Sequence, residues 1–203
     1  MKYWLLLILI LSLVIFIIII LIKSLRKRER EKREAIFAEV MKDRIFALLI
    51  DGIRRAGFDI KIDADSLTGM MILRMSKKIR IVGGLLDAFA EKRLAIEVMR
   101  LTLTHELGHL KTKKPTDCQF LQSLIGNCLW EELWASKEGL LILSAAGEKN
   151  LENYSNAWSH WLLPRIERQC KKCLRAILLN KCPLKKEAKT INEQIEEMLE
   201  TKK

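Results

Sequence analysis

The sequence predicts an α+β chain that is predominantly helical, with one transmembrane helix ahead of a soluble part that carries a small antiparallel sheet. Three observations lead there. Residues 4–22 form an apolar run of nineteen with a single polar side chain, Ser12. Apolar residues then recur at helical spacing over three long stretches, Glu34–Gly57, Leu85–Lys111 and 117–146. Between the first two lies Gly69–Val82, which has the shorter rhythm of strands.

The first run is long enough to span a bilayer, since at about 1.5 Å per residue it matches a hydrocarbon core of about 30 Å. A signal peptide would have a shorter apolar stretch and small residues at a cleavage site. Here Lys23-Ser24-Leu25-Arg26-Lys27-Arg28 follows directly, so a retained anchor is expected. Lys2 alone precedes the run, whereas Lys23, Arg26, Lys27, Arg28, Arg30, Lys32 and Arg33 follow it. The positive-inside rule then puts the C-terminal bulk in the cytoplasm and a short N-terminus outside.

Composition narrows the classes further. The 203 residues suit one domain with appendages. Three prolines and nine glycines argue against a fibrous or disordered chain. Five cysteines, odd in number and widely spaced, argue against a secreted disulfide scaffold and suit a reducing compartment. Of the net charge of +11, the basic cluster after the apolar run supplies +5 once Glu29 and Glu31 are subtracted. That cluster lies where anionic headgroups would be, so membrane lipid is the expected partner and nucleic acid is not.

In the soluble part, Glu34–Gly57 is expected to be one helix, its apolar face running from Ile36 and Phe37 to Leu49 and Ile53, with Gly57 as its C-cap. Met70–Met75 and Lys78–Val82 are expected as two strands joined by a turn near Ser76-Lys77 and closed by Gly83-Gly84. Leu85–Lys111 is expected as a helix stopped by Lys113-Lys114-Pro115, and 117–146 as a second, stopped by Gly147. Pro164 and Pro183 divide the C-terminal remainder into shorter helical pieces. Ile191, Ile195, Met198 and Leu199 among charges describe an amphipathic surface helix.

The chemistry is concentrated in His105-Glu106-Leu107-Gly108-His109. Histidines at i and i+4 project from one helix face, one turn apart, so both imidazoles can share a metal ion. Glu106, rotated by about 100°, can instead reach a water beside that ion. Zinc suits such a site because it accepts nitrogen and oxygen ligands and keeps an open position in catalytic centres. Gly108 in mid-helix is unfavourable by about 1 kcal/mol relative to alanine, which implies that another element packs very close there. Two of the three histidines in the chain lie in this motif.

HELGH in a helix, after a small sheet and before a helix bearing a glutamate, resembles the zincin metallopeptidases. The glutamate version is the gluzincin type, and the compact build is similar to the minigluzincins and the membrane-anchored neutral zinc peptidases. The resemblance covers about Gly69–Gly147. It implies a zincin-like core; together with the apolar run and its basic flank, the expected division is 1–22 anchor, 23–34 basic juxtamembrane segment, 35–147 metallopeptidase domain and 148–203 C-terminal helical region.

A third ligand is required, and helical geometry chooses Glu132 over Glu131. Glu132 shares its face with the small residues Ala135, Ser136 and Gly139, whereas Glu131 lies with Asn127, Trp134 and Glu138 on a more polar one. The resemblance agrees, because gluzincins often read E-x-x-A-D and Glu132–Ser136 fits with serine in place of the aspartate. An aspartate there would orient a ligand histidine; Asp117 and Asp87 are candidate substitutes. Lys78–Val82 is the expected strand for an extended peptide to pair with, or else an ordinary edge guarded by Lys78 and Arg80. His160 and Tyr154 are the candidates for stabilising the transition state, His160 having a competing role as an interfacial residue among tryptophans. Cys170, Cys173 and Cys182, with Cys118 and Cys128, lack the two close pairs of a structural zinc site and are expected to be buried thiols. The expected function is peptide-bond hydrolysis with Glu106 as general base on a protein or peptide substrate. The alternative is a catalytically weak binding or regulatory module at the membrane.

Overall fold

The computed structural model describes residues 2–63, 70–73, 76–111, 129–171 and 185–200. It is mostly helical. Helix α1 (Lys2–Val40) leads to α2 (Arg44–Arg55), strands β1 (Asp59–Asp63), β2 (Met70–Leu73) and β3 (Lys78–Val82), then α3 (Gly83–Ala90), α4 (Ile96–Lys111) and α5 (Leu129–Ala145). A 3-10 turn at Leu151–Tyr154 precedes a helical run, α6 (155–171), whose segment Trp158–Leu162 is π-helical. Helix α7 (Lys185–Leu199) comes last. The Lys113–Pro115 stop, residues 117–128 with Asp117, Cys118 and Cys128, and Cys173, Cys182 and Pro183 lie outside the described residues.

Helix α1 is continuous from the apolar run into the basic segment. Every apolar side chain from Leu11 to Ile22 is at least 43% exposed. Among the described residues, no helix is long and apolar enough to cross a membrane. From Leu11 onward the first buried side chain is Arg33, which is 3% exposed. Its Nη2 donates to Asp87 Oδ2 at 2.8 Å and its Nη1 to the Asp63 carbonyl at 3.4 Å. This corrects the expectation in two ways. Arg33 is a fastening between α1, β1 and α3 rather than part of the headgroup-facing cluster, and Asp87 is spent on it.

The expected helix 34–57 is two helices. Asp43 takes an extended conformation and its Oδ1 accepts the Phe46 N–H at 2.8 Å, so it starts α2 as an N-cap and ends the preceding turn. Gly57, at φ +80°, does close α2 as expected. The expected helix 85–111 is likewise divided. Lys92 stands at φ +58° between α3 and α4, a conformation no helix continues through. Gly83-Gly84 ends the strand as expected and at once begins α3.

The sheet is mixed rather than antiparallel. Its order is β1-β3-β2: β2 pairs antiparallel with β3, Met71 facing Arg80, and β1 pairs parallel with β3, Ile60 facing Ile79. The hairpin was legible, its turn carried by Lys77 at φ +46°. Asp59-Ile60-Lys61-Ile62-Asp63 was not, because it has only two apolar residues in a polar setting. The strand Lys78–Val82 is therefore central and flanked on both sides, so the expectation that it offers a free edge to a peptide is wrong. Its Arg80 pairs with Asp63 of β1. Of the two edge strands, β2 lies against α4, and β1 against α1 and α2.

One core joins these elements, from Val40 and Phe46 through Ile79, Ile81, Leu85, Met99 and Leu103 to Leu140, Trp158 and Ile195. Helix α7 lays Ile191, Ile195 and Leu199 against α5, as its amphipathic pattern implied.

Candidate metal centre

Helix α4 is buried on most sides. Val98, Met99, Leu101 and Leu103 fill the core, and Thr102 and Thr104 turn their hydroxyls back onto the Val98 and Arg100 carbonyls. In the last turns of this helix His105 and His109 are only 4% and 8% exposed. Their rings meet edge to face, centroids 4.8 Å apart.

Helix α5 crosses α4 at backbone distance. A β-carbon on Gly108 would overlap the Ala135 carbonyl oxygen, and one on Gly139 would stand 2.8 Å from the His105 nitrogen. Two glycines, one on each helix, thus let the helices touch where the histidines are. The close approach inferred from Gly108 is real.

This seating places Glu132, 5% exposed, between the imidazoles. Its Oε2 is 3.0 Å from His105 Nε2 and 3.6 Å from His109 Nε2. One ligand atom from each of the three residues lies within 4.8 Å of the others. Bonds of about 2.0–2.1 Å to a tetrahedral zinc would put ligand atoms about 3.3 Å apart, and the two separations stand on either side of that figure. Two imidazole nitrogens and a carboxylate oxygen, buried and convergent, fit a zinc ion.

The outer nitrogens have partners too. His105 Nδ1 is 2.8 Å from Ser136 Oγ, and that hydroxyl donates to the Glu132 carbonyl at 2.8 Å. Its proton being so used, the serine oxygen accepts from His105 Nδ1–H. The serine at the expected aspartate position therefore does orient a histidine. On the other side, His109 Nδ1 faces Glu131 Oε1 at 3.8 Å. Glu131 is 2% exposed, which corrects its assignment to a polar face.

Charge is concentrated here. Burial opposes a charge on His109, yet Glu131, Glu132 and Glu106 outweigh it and push the imidazole up to about 10. Burial likewise opposes ionisation of Glu132, and the two histidines hold it well below the usual carboxylate range. Glu106, half-buried on α4, is among the carboxylates acting on His109. Arg165 of α6, half-buried, stacks 5.5 Å over the Trp161 ring. Burial lowers its guanidinium, while the charges of Glu106 and Glu132 act to raise it.

The other candidates go elsewhere. His160 is exposed, with Nδ1 2.9 Å from Ser159 Oγ, outside the three-residue cluster. The Tyr154 hydroxyl donates to Glu148 Oε2 and accepts from Arg100 Nη1, each at 2.8 Å, so it belongs to a structural network. Sequence reasoning missed Arg165 and the burial of Glu131. Neither had a signal, since one acid beside another and one arginine after a proline look like surface.

Comparisons of the chain with family models, curated proteins and solved structures find no match.

Proposed function

We propose that this chain is a membrane-anchored zinc metallopeptidase that hydrolyses peptide bonds. The observation that carries the reading is the convergence of one ligand atom each from buried His105, His109 and Glu132 within 4.8 Å, with Glu106 adjacent to His105 in the chain. A zinc ion held by these three residues would polarise the scissile carbonyl and acidify a water. Glu106 takes the proton of the attacking water on its carboxylate and delivers it to the leaving amine. Ser136 keeps His105 in the tautomer whose Nε2 lone pair faces inward. Arg165 contributes positive charge near the carboxylates, and β2, the edge strand beside α4, offers backbone groups to an extended substrate.

Residues 1–22 serve as the anchor in this reading, with the catalytic domain on the cytoplasmic side. Support comes from the nineteen-residue apolar run, from the uncovered apolar side chains of Leu11–Ile22 and from the basic cluster behind them. The cluster's exposed members, Lys23, Arg26, Lys27, Arg28, Arg30 and Lys32, suit anionic lipid.

The decisive experiment compares the full chain in detergent with Glu106→Gln, using a casein-like substrate with and without chelator. Zinc-dependent cleavage by the wild type alone is the expected result. Equal cleavage by both proteins would refute the mechanism, and tight zinc binding with no cleavage of any peptide library would favour a binding module.

A further inference from the structure

We propose that Glu131 is the positioning carboxylate of this centre, holding His109 through Nδ1 while its sequence neighbour Glu132 serves as ligand. The inference rests on the zinc-centre reading above and adds a role for a residue that the reading does not use.

Both histidines present the same atom, Nε2, to Glu132 Oε2. Each therefore turns Nδ1 outward to α5, and a neutral imidazole that gives one nitrogen to an ion must carry its proton on the other. For His105 the acceptor is the Ser136 hydroxyl at 2.8 Å. For His109 the facing atom is Glu131 Oε1 at 3.8 Å, beyond hydrogen-bond length but within ion-pair reach.

Burial gives this contact its weight. A carboxylate 2% exposed needs a partner or a cation nearby, and side chains at adjacent helix positions point about 100° apart. Glu131 and Glu132 thus cannot serve the same nitrogen. Here they take opposite sides of one imidazole, Glu132 at Nε2 and Glu131 at Nδ1. The anionic acceptor expected at position 136 is absent, and serine gives His105 a neutral one. The negative charge enters one residue ahead of the ligand, on the other histidine. A carboxylate on Nδ1 raises the basicity of the ligating nitrogen more than a hydroxyl does, so His109 becomes the stronger of the two imidazole donors.

The test measures zinc affinity of the full chain in detergent by competition with a chromophoric chelator. It uses Glu131→Ala, Glu131→Gln and Ser136→Ala, with thermal melts of each metal-free protein. Glu131→Ala should weaken zinc binding about 10–100-fold. Glu131→Gln, which keeps an acceptor and loses the charge, should recover part of that loss and melt close to wild type. Cobalt in place of zinc should give a visible absorption band that Glu131→Ala shifts. Wild-type zinc affinity in Glu131→Ala, or a lower melting temperature with affinity unchanged, would overturn the proposal. A wild-type chain that binds no zinc would instead overturn the centre itself.

Discussion

Gly108 of α4 lies so close to Ala135 of α5 that its missing side chain is what lets the two helices meet. The contact is backbone against backbone, so no rotamer change can relieve an added atom. Gly108→Ala should therefore force the helices apart and destabilise the protein by about 3 kcal/mol, the upper end for overpacking, with loss of zinc binding. Gly52 of α2 supplies the opposite control. It has open space around it, and alanine there should stabilise by about 0.5–1 kcal/mol through helix propensity alone. Thermal melts of the two variants should move in opposite directions. A Gly108→Ala protein that melts like wild type would contradict the close seating.

Ligand and base are separable by substitution. Glu132→Ala removes one of three convergent donors and should abolish tight zinc binding. Glu106→Gln keeps all three donors, so metal content should stay near one ion per chain while turnover falls by about 10²–10⁴-fold. Metal analysis beside a hydrolysis assay checks both. If Glu132→Ala retained stoichiometric zinc, the ligand assignment would be wrong.

How much was legible in the sequence depends on how local each signal is. The HELGH face and the choice of Glu132 follow from helical period within one or two turns, and the close approach at Gly108 from the cost of a mid-helix glycine; the structure clusters the three side chains and seats the helices at backbone distance. The hairpin was readable for the same reason. The breaks at Asp43 and Lys92 were not, because the apolar period runs across them and only capping chemistry interrupts it. Parallel pairing of β1 with β3 depends on a partner some nineteen residues away in register, from Asp59 to Lys78, which no short pattern encodes. Burial of Glu131 depends on what stands opposite, as does the release of β3 from an edge role.

Acidity should oppose metal binding. His109 is raised from its ordinary value to about 10 in the metal-free protein, against its own burial and by Glu131, Glu132 and Glu106. Zinc must displace that proton, so apparent affinity should rise about tenfold per pH unit as pH increases toward 10. The same shift has a consequence for stability. A group raised on folding contributes fully below its unfolded value of 6.5 and loses that contribution as pH climbs through about 10. Metal-free protein should therefore become less stable over that interval while zinc affinity grows. Denaturant melts and chelator competition at pH 6.5, 8 and 9.5 would show both trends, and a flat affinity would remove His109 from the ligand set.

The fastening of α4 should be separable from its chemistry. Arg100 sits five residues before His105, about 140° round the helix. Its Nε donates to Asp43 Oδ1 at 2.9 Å, and its Nη1 to Glu148 Oε2 and the Tyr154 hydroxyl, each at 2.8 Å. Burial raises Asp43, yet Arg100 and the Phe46 N–H hold it below the usual carboxylate value. The Arg100, Asp43 and Glu148 side chains are 13–19% exposed, enough burial that stranding one member matters. Arg100→Met should destabilise by about 3 kcal/mol, because two acids then lose their cation. Asp43→Asn keeps an acceptor for the Phe46 N–H, whereas Asp43→Ala also loses the cap, so alanine should be worse by about 1 kcal/mol. Zinc affinity of the folded fraction should stay near wild type in all three. Equal melting of Asp43→Asn and Asp43→Ala would show that the cap contributes nothing. A large loss of zinc affinity in Arg100→Met would mean that the network sets the position of His105 as well as the stability of the fold.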